Sequence, residues 1–358
     1  MTDAGQTRLL PRVEEARTSS PRRTLETPPA PEQERRSRRA LAGRESTVDR
    51  VFRASAYTAG GITVAIMLAV GLFLSARAGD ALGKAGFSFL TETDWQPQAG
   101  TFGVAAILFG TVTIALIALV VSVPISLGTS LLLSEVVTGQ LRQFLITLVD
   151  LMAAVPSIIF GLWGVYFLQA EIIPVSEWIS TYFSWIPVFA VTDAEGEPFT
   201  DASAFTSSAF LAGIVVGLMV VPTMTAIMRE SFSRAPVGER EGAYALGSTR
   251  WGMIQAVVLP FGKGGVIGGV MLGLGRALGE TIAVYMIISP IFTINWQVLK
   301  TGTNSVSALI ALRYGEATEF DLSALMAAGL VLFLLTLLIN FTASSIVARS
   351  RSGAESDV

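Results

Sequence analysis

Two ionisable residues stand inside an otherwise apolar, glycine-rich stretch: Arg276 and Glu280, four apart in Gly273-Leu274-Gly275-Arg276-Ala277-Leu278-Gly279-Glu280-Thr281. On a continuous helix this spacing puts both on one face. A charge near the centre of a bilayer costs about 3 kcal/mol on insertion scales, so a retained pair faces protein or water and lines a route. The competing reading is a salt bridge that only holds helices together. Asp150 is a second candidate, either a pathway charge or an interfacial residue. Ser157, beside Pro156, and Thr281 are candidate hydroxyl contacts, although membrane hydroxyls more often satisfy a helix carbonyl.

A second constellation lies upstream. Glu241-Gly242-Ala243-Tyr244-Ala245-Leu246-Gly247 is followed, after nine residues, by Val257-Val258-Leu259-Pro260. Small residues after Glu241 let a short helix lie close to a partner, and Gly247 permits the left-handed turn that ends it. The following segment then reaches Leu259 and Pro260 at the base of the Arg276 stretch. A short helix presented in this way can seat in a groove on another protein.

The elements that carry these residues are read from composition. The chain has 358 residues, 51% apolar and only 15% charged, with no cysteine and no histidine, and its mean hydropathy is +0.59. A soluble chain carries about a quarter charged residues, so this is an all-α polytopic membrane protein. Without cysteine or histidine there is no disulfide framework, thiolate nucleophile or common zinc ligand, and no metal site is expected. No enzyme triad is in view. Neither Gly83-Lys84-Ala85 nor Gly262-Lys263-Gly264 fits a phosphate-binding loop, so any ATPase is another polypeptide.

Six stretches reach the roughly 20 apolar residues needed for a crossing. They run from about Tyr57 to Ala76, from Phe102 to Val123 with a continuation to Leu133, from Phe144 to Gln169, from Phe210 to Met228, from Val266 to Ser289 and from Leu322 to Val347. Pro124, Pro156 and Pro222 should bend their helices. Glycines at 264, 265, 268, 269, 273, 275 and 279 let another helix approach the fifth span, within this chain or from a neighbour.

Residues 170–205 hold no Lys or Arg, whereas Arg229, Arg234, Arg240, Arg250 and Lys263 crowd the loop at 229–263. By the positive-inside rule the first loop faces out and the second faces in, and Arg349 and Arg351 place the C-terminus inside as well. Residues 1–53 carry twelve Arg against eight Asp or Glu and five Pro. The division expected is therefore a disordered cytoplasmic tail at 1–55, a six-helix transmembrane domain at 56–348 with its core from about 102, and a short cytoplasmic tail at 349–358.

The Glu241–Pro260 spacing resembles the cytoplasmic signature of importer-type ABC permeases. A narrower resemblance, to the C-type permease subunit of phosphate-specific ABC importers, rests on Phe261–Gly269 running on to Gly275–Thr281. Phe87–Trp95, Val123–Gly128 and Ala153–Gly161 support it, and it covers about residues 55–348. Gly242 stands where the signature usually has alanine, and the Arg-rich tail has no counterpart.

The resemblance implies the type I ABC importer permease fold, a multi-pass protein of the bacterial cytoplasmic membrane, and inward translocation of inorganic phosphate. It implies as partners a second, A-type permease, a dimer of ATPase subunits and an extracytoplasmic phosphate-binding protein, with no nucleic acid. ATP and Mg would be used by the ATPase, and no cofactor is expected on this chain. Glu241, Gly242, Ala243, Gly247, Leu259 and Pro260 would then couple the membrane helices to the ATPase. Arg276, whose guanidinium suits a tetrahedral oxyanion, would offer a transient positive site. Glu280 would hold Arg276, or accept a hydrogen bond from the protonated oxygen of hydrogen phosphate. The alternatives are a related permease for molybdate or sulfate, a secondary transporter and a non-transporting scaffold.

Overall fold

The computed structural model describes residues 47–192 and 201–352. Residues 1–46, most of the Arg-rich tail, lie outside these, as do residues 193–200 and 353–358. The chain divides into two compact units, residues 1–63 and Val64–Val358. In the first, residues 47–63 are helical and exposed.

Helix α1 (Thr47–Arg77) starts earlier than the apolar run at Tyr57 and so takes in the end of the expected tail. Apolar length marks where lipid begins, while backbone hydrogen bonding extends past it into polar sequence. After α2 (Gly79–Ala85) comes a small antiparallel ribbon, β1 (Trp95–Gln96) and β2 (Thr101–Phe102), with Trp95 opposite Phe102. Helix α3 (Ala105–Leu131) passes through Pro124 and ends in a π-type turn, Leu132–Val136. Next are α4 (Gly139–Ala153), α5 (Ser157–Trp163), a second π-type turn at Gly164–Leu168, and α6 (Gln169–Tyr182).

Helix α7 (Ala209–Ser233) is capped by Ser208, whose Oγ accepts from Leu211 N at 3.2 Å. It is followed by α8 (Val237–Ala245) and α9 (Arg250–Met253). A third π-type turn, Ile254–Val258, leads into α10 (Leu259–Gly279), widening the helix where the ring and missing N–H of Pro260 must fit. Then come α11 (Ile282–Ile287), α12 (Val306–Arg313) and the long α13 (Glu319–Ser352).

Six helices among the described residues are long and apolar enough to cross a membrane: Thr47–Arg77, Ala105–Val136, Ser157–Tyr182, Ala209–Ser233, Arg250–Gly279 and Glu319–Thr342. Two depart from expectation. The third does not run unbroken from Phe144 to Gln169, because Val155-Pro156 interrupts it: Pro156 donates no hydrogen bond and disfavours helix in the residue before it. The fifth does not continue to Ser289, because Glu280 turns to an extended conformation (ψ 126°).

The central core joins α3, α7 and α10 around Ile114, Leu211, Met219, Met224, Met228 and Phe232. Gly262, Gly265, Gly269 and Gly273 turn one face of α10 onto α7. A Cβ on Gly262 would collide with the Phe232 ring, one on Gly265 with the Ser231 side chain, and one on Gly273 would lie 2.5 Å from Met224 Sδ. The glycine approach is therefore used within this chain along that face. A second core joins α2, the ribbon, α12 and α13, where Phe102 meets Phe89 and Phe320 edge to face at centroid distances of 5.9 and 5.5 Å.

Candidate translocation and coupling sites

Arg276 and Glu280 do not share a helix face. Helix α10 ends at Gly279, and the Glu280 carboxylate reaches forward, its Oε1 accepting from Ala283 N at 3.2 Å to cap α11. The Glu280 carbonyl accepts from Ser307 Oγ at 2.7 Å, which pins the corner to α12. Arg276 donates from Nη1 to Thr223 Oγ1 of α7 at 3.0 Å. The carboxylate takes up one of the unpaired N–H groups at the start of the new helix. The corner was hidden because no proline marks it and the residues on either side read as one apolar run.

Arg276 is half-buried and lines an open cleft of about 590 Å³ with Thr223, Gly268, Met271, Leu272, Gly275 and Asn340. Apart from the guanidinium, Thr223 and Asn340, this lining is apolar or glycine. The guanidinium is therefore the only charged group in the lining.

Helix α5 packs closely on α11. A Cβ on Gly161 would lie 2.9 Å from Ala283 Cα, and one on Gly164 3.0 Å from Ile287 Cδ1. Both contacts step forward together, so α5 and α11 run side by side in the same direction. Ser157, half-buried at the start of α5, is therefore level with the Glu280–Thr281 corner. Thr281 Oγ1 donates to the Gly279 carbonyl at 3.2 Å, the commoner fate of a membrane hydroxyl. Asp150 is exposed on α4, before the Pro156 break and outside the crossing Ser157–Tyr182. The fold thus brings Arg276 to Thr223, and Ser157 to the level of Glu280 and Thr281, and leaves Asp150 apart.

The segment expected to couple forms the short helix α8, with no buried residue. Glu241 and Gly242 are exposed, and Ala243 is half-buried against the central core. Gly247 has φ +84°, the left-handed turn its position calls for, and its N–H donates to Tyr244 O at 2.9 Å to close the helix. Leu246 stands 90% exposed at the tip. Leu259 and Pro260 are not at the base of the fifth span but inside it, since that helix already begins at Arg250. Thr249 caps α9 through Gly252 N at 3.1 Å and sets that earlier start.

Sequence reasoning missed one cluster. Arg240, directly before Glu241, donates from Nη1 to Glu135 Oε2 at 3.2 Å and from Nη2 to the Phe232 carbonyl at 2.6 Å. Arg142 donates from Nε to the Leu133 carbonyl at 2.8 Å. Glu135 and Arg240 are 105 positions apart, and the only signal was an acidic residue at the end of an otherwise apolar span.

Comparison with known proteins follows the same line. Residues 126–352 match the family described as binding-protein-dependent transport system inner membrane component. The chain is 40% identical over 262 residues, 72% of this chain and 78% of the relative, to the phosphate transport system permease protein PstC of Pasteurella multocida (strain Pm70). It is 36% identical over 327 residues, 89% of this chain and 97% of the relative, to the protein of the same name from Mesorhizobium japonicum. A chain in the crystal structure of a bacterial ABC transporter involved in the import of the acidic polysaccharide alginate aligns over 84% of this chain and 99% of its own, with TM-score 0.50 at 16% identity.

Proposed function

The chain belongs to the family of binding-protein-dependent transport system inner membrane components, with the type I ABC importer permease fold, and from that premise we propose that it carries inorganic phosphate inward as the C-type permease subunit of an ATP-driven importer. The observation that carries the importer reading is α8: a helix of nine residues with none buried, closed by a left-handed glycine and ending in an exposed leucine, is shaped to be completed by another protein. The phosphate assignment rests on the PstC relatives together with the guanidinium set among apolar neighbours.

In this reading the N- and C-termini are cytoplasmic, and α8 faces the ATPase dimer, which uses ATP and Mg. An extracytoplasmic binding protein delivers the anion, and an A-type permease supplies the other half of the pathway. Closure of the ATPases moves α8, and α10 carries the motion to Arg276. Thr223 holds one donor of the guanidinium, leaving the others for a tetrahedral oxyanion. One cation in a wet path binds weakly enough to release. Glu280, committed to α11, fixes the corner beyond Arg276, and Ser157 offers a hydroxyl at the same level, whereas Thr281 would have to give up its bond to the Gly279 carbonyl to do so.

Uptake of labelled phosphate tests this in a strain lacking its own phosphate permease, with the partner subunits co-expressed and insertion verified. The parent chain restores uptake, and Arg276→Gln, inserted and still bound to the ATPase, does not. Equal uptake by both would reduce Arg276 to packing. No uptake by either, with the complex assembled, would pass the solute to molybdate or sulfate.

A further inference from the structure

We infer that Arg240 and Glu135 form the strut through which displacement of α8 is delivered to α3 and α7, making Arg240 a positioning residue for transport; this rests on the reading of α8 as the ATPase dock. Helix α8 has no fully buried residue, and Ala243 alone of its side chains packs against the central core, so it has little apolar contact with which to push on the bundle. Arg240 supplies directional bonds instead. Its guanidinium spans two elements at once, holding the Glu135 carboxylate in the turn that ends α3 and the Phe232 carbonyl near the end of α7.

Each receiving point is itself anchored. The Phe232 ring is fully buried and occupies the space left by Gly262 of α10, so a pull on its carbonyl bears on α7 and α10 together. The turn carrying Glu135 is braced from α4 by the bond from Arg142 to the Leu133 carbonyl. The Glu135 side chain is 3% exposed and that of Arg240 20%. Water therefore screens the pair little, and a shift of either partner is felt by the other.

The pair is poorly explained as a stabilising device. A buried ion pair is often replaceable by apolar residues without loss of stability. This one also leaves Glu135 Oε1 and Arg240 Nε buried with no partner among the described residues. A side-on approach of the same two groups would join those two atoms. The strut thus has a second bonding arrangement available to it, as an element that moves between two states requires.

The complete complex in proteoliposomes, with ATPase, second permease and binding protein, provides the test. The chain contains no cysteine, so Val136→Cys and Glu239→Cys, both at exposed positions, place one spin label at the end of α3 and one on α8. In the parent the label-to-label distance stays narrow in the nucleotide-free and ATP-trapped states. Arg240→Met broadens it and lowers phosphate moved per ATP by about tenfold, within the range for residues that carry coupling, while the ATPase still co-purifies. Glu135→Gln, which keeps the shape of the side chain, gives the same broadening with a loss of about threefold, and carries the test should the methionine variant fail to fold. An unchanged distance and an unchanged transport ratio in the variant that assembles would overturn the strut. Broadening in a complex whose parent moves no phosphate would instead overturn the choice of solute and leave the strut standing.

Discussion

Along α10, Gly262, Gly265, Gly269 and Gly273 meet α7, whereas Gly268, Gly275 and Gly279 have nothing within 4 Å of the place a Cβ would take. On the first face Phe232, Ser231, Met224 and Met228 fill the room that the missing side chains leave. The second face is bare, and its Gly268 and Gly275 line the cleft that Arg276 shares with Thr223 and Asn340. One residue type thus serves two ends. Where a neighbour brings large side chains, glycine fastens two helices into a unit, and where none does, it keeps space beside a charge. The composition of a span announces only that close approach is possible, and the partner's side chains decide what is made of it.

The sharpest way to break this comparison is Gly265→Val. Its Cβ would collide with Ser231, whose β-carbon is too near the backbone to move aside, so unfolding in detergent should show a loss of about 3 kcal/mol, the upper part of the range for overpacked sites. A shift within about 0.5 kcal/mol, as at an ordinary surface site, would mean that α7 and α10 are not locked there. Thr223→Val tests the cleft at its charge. It removes the acceptor that holds Arg276 and should cost about 1 kcal/mol in folding, while weakening uptake without affecting ATPase binding. Unchanged uptake would show that Arg276 needs no holding. The smallest effect is expected from Gly268→Val, within about 0.5 kcal/mol on unfolding of the isolated chain. Its consequence should appear only in assembly, as weaker co-purification of the partner permease if that subunit covers the face.

The number of crossings was legible from apolar length, since a crossing demands about 20 residues whatever surrounds it. Gly247 was legible too, because a left-handed residue closing a short helix has a local cause. The corner at Glu280 was not: its causes are the Ala283 N–H and the Ser307 hydroxyl, the second supplied from a segment distant in sequence. The four-residue spacing of Arg276 and Glu280 suggested a pair that the turn of the chain then separated. Pro156 was read as a bend and proved a full interruption, a choice settled by how the following helix packs on α11 through Gly161 and Gly164. The Glu135–Arg240 contact is of the least readable kind, fixed only once the ends of α3, α7 and α8 have been brought together.

The π-type turn at Ile254–Val258 has one further consequence. A turn of this kind acts as a single-residue insertion into a helix, and each residue of an α-helix advances the azimuth by about 100°. The angular phase of Arg276 and of the glycine stripe, relative to Thr249 and the closing turn of α8, is therefore set by that one extra residue. Deleting Gln255 or Ala256 would preserve every side chain named above and yet rotate the charge away from its cleft.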